Sequence, residues 1–218
     1  MRKRASEKSA PDEPTARRRG FVTPACKTPG IILIGFMGAG KSSVGRRLAE
    51  LVGWTFEDLD EQVEAREQRK VHEIFRDSGE AEFRMAERAA LQELLSEVQA
   101  GAPKIMALGG GAFAQKENAK LIEEAGISTV FLDADVNELW RRCREQTDGV
   151  ERPLLRSLSS FRELYKARRR QYARAMFHQV TDGKTVDEIA EELAKVLELS
   201  FKRPKRGNPG RGKRGEKH

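Results

Sequence analysis

Two rhythms of apolar residues alternate along this chain. Short runs read as strands: 31–34 (IILI), 54–58 (WTFED), 104–108 (KIMAL), 129–132 (TVFL) and 177–181 (FHQVT). Between them the apolar positions take helical spacing. Val44, Leu48, Leu51 and Val52 predict a first helix, stopped by Gly53. Residues 63–75 and 80–98 predict two more, parted by the turn signal Asp77-Ser78-Gly79, with Ser78 as a cap. Helices are also predicted over 117–125, 136–144, 161–176, which is strongly basic, and 186–199. Residues 146–160 are polar and interrupted by Gly149 and Pro153, and are expected to form a mobile loop. Five strands alternating with helices predict an α/β fold of three layers: a five-stranded parallel sheet joined by right-handed crossovers and covered by helices on both faces. Functional sites in such sheets lie beyond the carboxyl ends of the strands.

The first strand runs directly into Gly35, Gly38, Gly40, Lys41 and Ser42, which fill every position of the pattern G-x-x-x-x-G-K-[ST]. The chemistry behind the pattern is a cradle of backbone N–H groups around phosphates. Lysine reaches the outer phosphates, the hydroxyl serves Mg²⁺, and the positive end of the following helix faces the same anion. Gly38, Ala39, Gly40, Lys41, Ser42 and Ser43 are the loop residues expected to bind a nucleoside triphosphate.

Asp58 and Asp60 stand at the end of the second strand and are expected to point in different directions. One can serve the Mg²⁺ held by Ser42 and the other a substrate; a helix N-cap accounts equally for one of them, but not for both. The strand at 104–108 carries no acidic residue, so the metal-binding aspartate of motor-type ATPases is missing there and Asp58 is the best remaining metal partner. No N-K-x-D guanine-reading motif occurs either. Three consecutive glycines, Gly109 to Gly111, mark a backbone that approaches a ligand closely. Arg84 and Arg168 can grip an anionic substrate, since a guanidinium binds carboxylate bidentately, although each taken alone also reads as a helix-surface charge. Arg152, inside the expected mobile loop, is placed to swing over a phosphate as an arginine finger does.

Charge changes the picture only at the ends. The 218 residues carry a formal +7, but residues 1–30 hold +5 and residues 201–218 hold +7, which leaves −5 for the centre. Three regions follow: a disordered basic tail over 1–29, one domain over 30–200, and a second disordered basic tail over 201–218. The tails leave nucleic acid open as a partner, yet only Phe201 interleaves with the C-terminal charges, so no stacking platform is present. No apolar run has the length of a signal peptide or a membrane span, and Asp12 and Glu13 suit a transit peptide poorly. Two cysteines, Cys26 and Cys143, make no disulfide framework. A cytoplasmic monomer is expected.

Taken together, GFMGAGKSSVG (35–45), FEDLD (56–60), IFRDSGEAEFRMAE (74–87), GGG (109–111), RPLL (152–155), the segment 164–172 and TDGKTVDEIAEEL (181–193) resemble the shikimate kinases, small P-loop kinases of the nucleoside-monophosphate-kinase structural group. The resemblance covers residues 31–199. It implies transfer of phosphate from ATP to shikimate. Lys41, Asp60 and Arg152 would be the catalytic residues, Ser42 and Asp58 the Mg²⁺ residues, and Asp60, Arg84, Gly110 and Arg168 the shikimate-binding residues. Phe75 and Phe83 would line the pocket, and Arg152 would be the lid arginine on ATP. The chain departs from the family in having Ser43 for a frequent Thr and Arg170 for the Pro of R-x-P-x-Y, and its segment 142–149 is slightly long. Arg142 and Lys184 are the expected adenine contacts. The rival readings are a kinase of another small polyol acid such as gluconate, and a nucleotide-binding regulator or RNA-associated protein with a vestigial site.

Overall fold

The computed structural model describes residues 29–145 and 157–201. The two basic tails and the lid segment with Arg152 lie outside the described residues, save for the few residues that border them.

The strands are β1 Gly30–Ile34, β2 Thr55–Asp58, β3 Lys104–Ala107, β4 Ser128–Asp133 and β5 Phe177–Val180. All pair in parallel, in the order β2-β3-β1-β4-β5. The most apolar strand takes the centre because it must be covered on both faces. Ile31, Ile32, Leu33 and Ile34 are all buried, and Ile32 stands in register with Met106 of β3 and Thr129 of β4.

The helices are α1 Lys41–Val52, α2 Leu59–Glu67, α3 Val71–Gln99, α4 Lys116–Glu124, α5 Val136–Glu145, α6 Leu158–Tyr172 and α7 Val186–Val196. Helix α1 ends, as expected, at Gly53 (φ 75°). It packs on the sheet through Val44 and Leu48, and α7 adds Ile189 and Leu193 to the same core. A reciprocal capping box starts α7: Thr185 Oγ1 accepts from Glu188 N (3.3 Å), and Glu188 Oε2 accepts from Thr185 N (2.8 Å). Among the described residues no helix is long and apolar enough to cross a membrane.

Three predicted elements need correction. The helix expected over 63–75 is broken: Gln68 turns left-handed (φ 53°), and Glu64 and Glu73 draw the N–H groups of Val71 (3.0 Å) and Lys70 (2.7 Å) out of the helical ladder. The break expected at Asp77-Ser78-Gly79 is present as a kink at Gly79 (φ 81°, ψ 178°), a region open essentially to glycine, but helix resumes at once, with no role for Ser78 as its cap. Residues 158–160, expected to be loop, open α6, because Ser157 Oγ accepts from Ser160 N at 3.1 Å. A 3-10 turn at Ala112–Ala114 has no counterpart in the predicted elements.

Candidate active site

The phosphate loop leaves β1 through Gly38 and Gly40, both with positive φ (78° and 83°). Gly38 is doubly constrained, since a Cβ there would stand 2.9 Å from both Cys143 Sγ and the Leu139 carbonyl. Helix α1 starts at Lys41 with Gly40 as its N-cap and no side chain capping its first turn. Its leading N–H groups and its positive dipole end are thereby turned toward the loop. Lys41 Nζ donates to Gly35 O (2.9 Å) and Phe36 O (3.2 Å), which folds the ammonium back over the loop. Removal from water pulls its pKa down, against the opposing charges of Asp60 and Asp58. Ala39 is buried and Ser43 is exposed on α1.

Asp58 closes β2 and satisfies two roles at once. Its Oδ1 caps α2 by accepting from Asp60 N (3.1 Å), and its Oδ2 accepts from the Ser42 hydroxyl (2.8 Å). The N-cap reading and the metal reading of this aspartate therefore use different oxygens. Ser42 and Asp58 bring hard oxygen donors side by side at the mouth of the phosphate loop, a donor set that suits Mg²⁺ shared with phosphate oxygens. Asp60, two residues on, turns to the triple glycine instead. Burial raises its pKa first and the charge of Asp58 second, while Lys41 opposes both.

The triple glycine after β3 explains itself by what lies over it. A Cβ at Gly109 would stand 2.5 Å from Asp60 Oδ1, one at Gly110 2.7 Å from Arg168 Nη1, and one at Gly111 2.9 Å from Arg84 Nη2. Each glycine seats one of the three side chains expected to hold the acceptor. The bare backbone is what lets Asp60 from α2, Arg84 from α3 and Arg168 from α6 converge.

Arg84 is fixed by two carboxylates on its own helix. Its Nη1 donates to both oxygens of Glu87 (3.1 and 2.9 Å), and its Nε and Nη2 donate to Glu80 Oε1 (3.2 and 3.0 Å). Glu87 is only 1% exposed, and burial raises its pKa while Arg84 opposes. Glu87 was not among the residues expected at the site; its signal was the i, i+3 spacing from Arg84 on a helix. Phe75 and Phe83 stand beside this group with ring centroids 4.5 Å apart.

The run Arg168-Arg169-Arg170 divides three ways. Arg168 lies over Gly110 close to the Tyr172 hydroxyl, Arg169 pairs with Asp133, and Arg170 is exposed. The Tyr172 hydroxyl in turn donates to Gly110 O. The two expected adenine contacts are engaged with carboxylates: Arg142 Nε with Glu138 (2.7 Å) and Lys184 Nζ with Glu192. Arg152 lies outside the described residues.

Known proteins resemble this chain over most of its length. The shikimate kinase family model matches residues 37–198. A shikimate kinase of Ruegeria pomeroyi is 40% identical over 181 residues, covering 78% of this chain and 89% of the relative. One from Caulobacter vibrioides is 44% identical over 165 residues, covering 74% and 78%. Among solved structures, shikimate kinase from Acinetobacter baumannii in complex with shikimate is 32% identical and superposes with a TM-score of 0.69, covering 79% of this chain and 95% of that one. A family match across the whole site and relatives at this identity leave one placement: the chain belongs to the shikimate kinase family.

Proposed function

We propose that this chain transfers the terminal phosphoryl group of ATP to a ring hydroxyl of shikimate, and that it does so as a cytoplasmic monomer. The observation that supports the acceptor is the seating of Asp60, Arg168 and Arg84 on successive glycines, with Lys41 of the phosphate loop near enough to Asp60 for their charges to interact. Two guanidinium groups and one carboxylate match a molecule with one carboxylate and three hydroxyls.

The loop N–H groups and the α1 N-terminus bind the phosphates, and Lys41 neutralises charge on the transferred group. Ser42 and Asp58 would hold Mg²⁺, which supplies further neutralisation of the phosphate oxygens when bound. Arg84 and Arg168 hold the acceptor carboxylate, so that a hydroxyl stands at Asp60. The raised pKa of Asp60 makes it a stronger base than an ordinary carboxylate, suited to orienting that hydroxyl and taking its proton. Arg152 would complete the site from the lid. Most of the rate enhancement then comes from positioning and electrostatics.

Release of ADP from ATP and Mg²⁺ by the purified full chain, offered shikimate, gluconate or RNA in turn, tests the assignment. Shikimate-dependent ADP is expected. Release with gluconate alone, or with RNA alone, would overturn it.

A further inference from the structure

A second polar cluster lies at the carboxyl end of β4, around Asp133, whose side chain is 8% exposed. Tyr165 OH donates to its Oδ1 (2.8 Å), Arg169 donates through Nη2 to Oδ2 (2.6 Å) and through Nε to Oδ1 (3.4 Å), and His178 Nε2 stands 3.0 Å from Oδ2. Tyr165 OH also bonds Ala134 O at 3.1 Å. Burial would push the Asp133 carboxyl up, but the bonds from Arg169, Tyr165 and His178 outweigh it and hold the group below the ordinary carboxylate range. It is thus a fixed negative charge with three protein partners.

Tyr165 and Arg169 stand one turn apart on α6, so a single carboxylate grips one face of that helix. Further along α6, Tyr172 bonds Gly110 O, and Arg168 lies in the chain between the two residues that Asp133 grips. The Tyr165 ring also meets Phe36 of the phosphate loop edge-on, with centroids 5.5 Å apart, and Phe161 does so at 5.0 Å. A rotation of α6 by one residue, about 100°, would carry Arg168 away from Gly110 and bring Ala167 or Arg169 to its place.

We propose that Asp133 is a positioning residue for the acceptor: by gripping Tyr165 and Arg169 it fixes the rotation of α6 and so holds the Arg168 guanidinium over Gly110. The chain carries three arginines in succession, and this contact decides which of them faces the substrate. Arg169 is engaged by Asp133, which leaves Arg168 turned to Gly110. The inference rests on the acceptor site proposed above.

Steady-state kinetics of the full chain with each substrate varied in turn test it, using Asp133→Asn, Arg169→Ala and Tyr165→Phe, with Asp133→Glu as the conservative variant. The KM for shikimate is expected to rise about tenfold in Asp133→Asn, since displacement of a positioning group by about 1 Å is costly. The KM for ATP should stay within about twofold, and Asp133→Glu should recover part of the loss. Arg169 is half exposed, so Arg169→Ala tests the same grip should Asp133→Asn fail to fold. An unchanged shikimate KM in folded Asp133→Asn or Arg169→Ala, while wild type is active, overturns the clamp alone. A parallel rise in both KM values also overturns it, because it marks general loss of structure. Wild type without shikimate-dependent ADP release removes the acceptor assignment, and the clamp with it.

Discussion

Replacing Arg84 by lysine tests the acceptor's carboxylate most directly. In the structure the guanidinium commits Nη1 to Glu87 and its Nε and Nη2 to Glu80. The two partners are not equivalent. Glu87 is sealed in at 1% exposure, whereas the Glu80 side chain is 67% exposed. Glu80 therefore occupies the side of the fork that a substrate carboxylate would take, and it can leave for water at little cost. A lysine ammonium is a point charge; once committed to the buried Glu87, it has no second parallel pair of bonds to offer. The loss is one charge-assisted hydrogen bond, about 1.5 kcal/mol or more. That corresponds to a rise of about tenfold or more in the KM for shikimate, with the KM for ATP unchanged. Stability should fall only modestly, because the buried Glu87 keeps a cation. The assay is steady-state ADP release with each substrate varied, beside thermal unfolding. Equal shikimate KM values in a folded Arg84→Lys chain would return Arg84 to the helix surface, where such an exchange costs a few tenths of a kcal/mol.

Asp60→Asn should lower kcat by about two orders of magnitude or more, and raise the unfolding temperature at neutral pH. The sign follows from its raised pKa: the folded chain binds this proton more tightly than the unfolded one, so stability falls as pH rises from the unfolded pKa through the folded one, and a neutral side chain escapes that loss. A lower unfolding temperature in the mutant would refute this. By the same shift, the acid limb of the wild-type kcat profile should lie above the ordinary carboxylate range; a limb at or below it would detach Asp60 from proton transfer. Gly110→Ala, which sets a Cβ 2.7 Å from Arg168 Nη1, should raise the shikimate KM about tenfold or more and spare that for ATP. Equal effects on both would mean that the backbone had moved as a whole. Arg152→Ala should lower kcat by about two orders of magnitude, as loss of a transition-state contact does. A raised KM for ATP at unchanged kcat would assign Arg152 to nucleotide binding.

What could be read from the sequence was what neighbouring residues decide. The phosphate loop is local: a buried strand, three glycines at positive φ and a helix start follow one another within a dozen residues. The strands are local too, because short buried runs bounded by turns have few alternatives. The break at Gln68 was not legible, since glutamine carries no turn signal and the carboxylates that make the break come from Glu64 and Glu73 on either side. The three glycines announced a close approach, but not that each would lie under a different side chain from a different helix. Arg168 could be chosen from its run only through the family pattern R-x-P-x-Y that the resemblance supplies, while the reason its neighbour turns away, a carboxylate 36 residues earlier, belongs to packing. Glu87 shows the same limit, for its spacing was visible and its burial was not.

Burial lowers the pKa of Lys41 and raises those of Asp60 and Glu87, so the fold disfavours the charged form at three groups set around the phosphate loop and the triple glycine. Such an arrangement costs stability and is not needed to hold the sheet, whose core is apolar. On the proposed function, its effect would be that these groups are partly withdrawn from water before the substrates arrive. Under that same reading, phosphate at Lys41 and a carboxylate at Arg84 and Arg168 would meet donors already oriented, in surroundings where each charge interaction is stronger than in water. Phosphoryl transfer gains most from such a site, because charge spreads over the equatorial oxygens in the transition state and little covalent chemistry is asked of the protein. The same withdrawal from water would limit loss of the phosphoryl group to hydrolysis. The strain that Asp60→Asn would relieve is, on this account, part of what makes the cleft a kinase site.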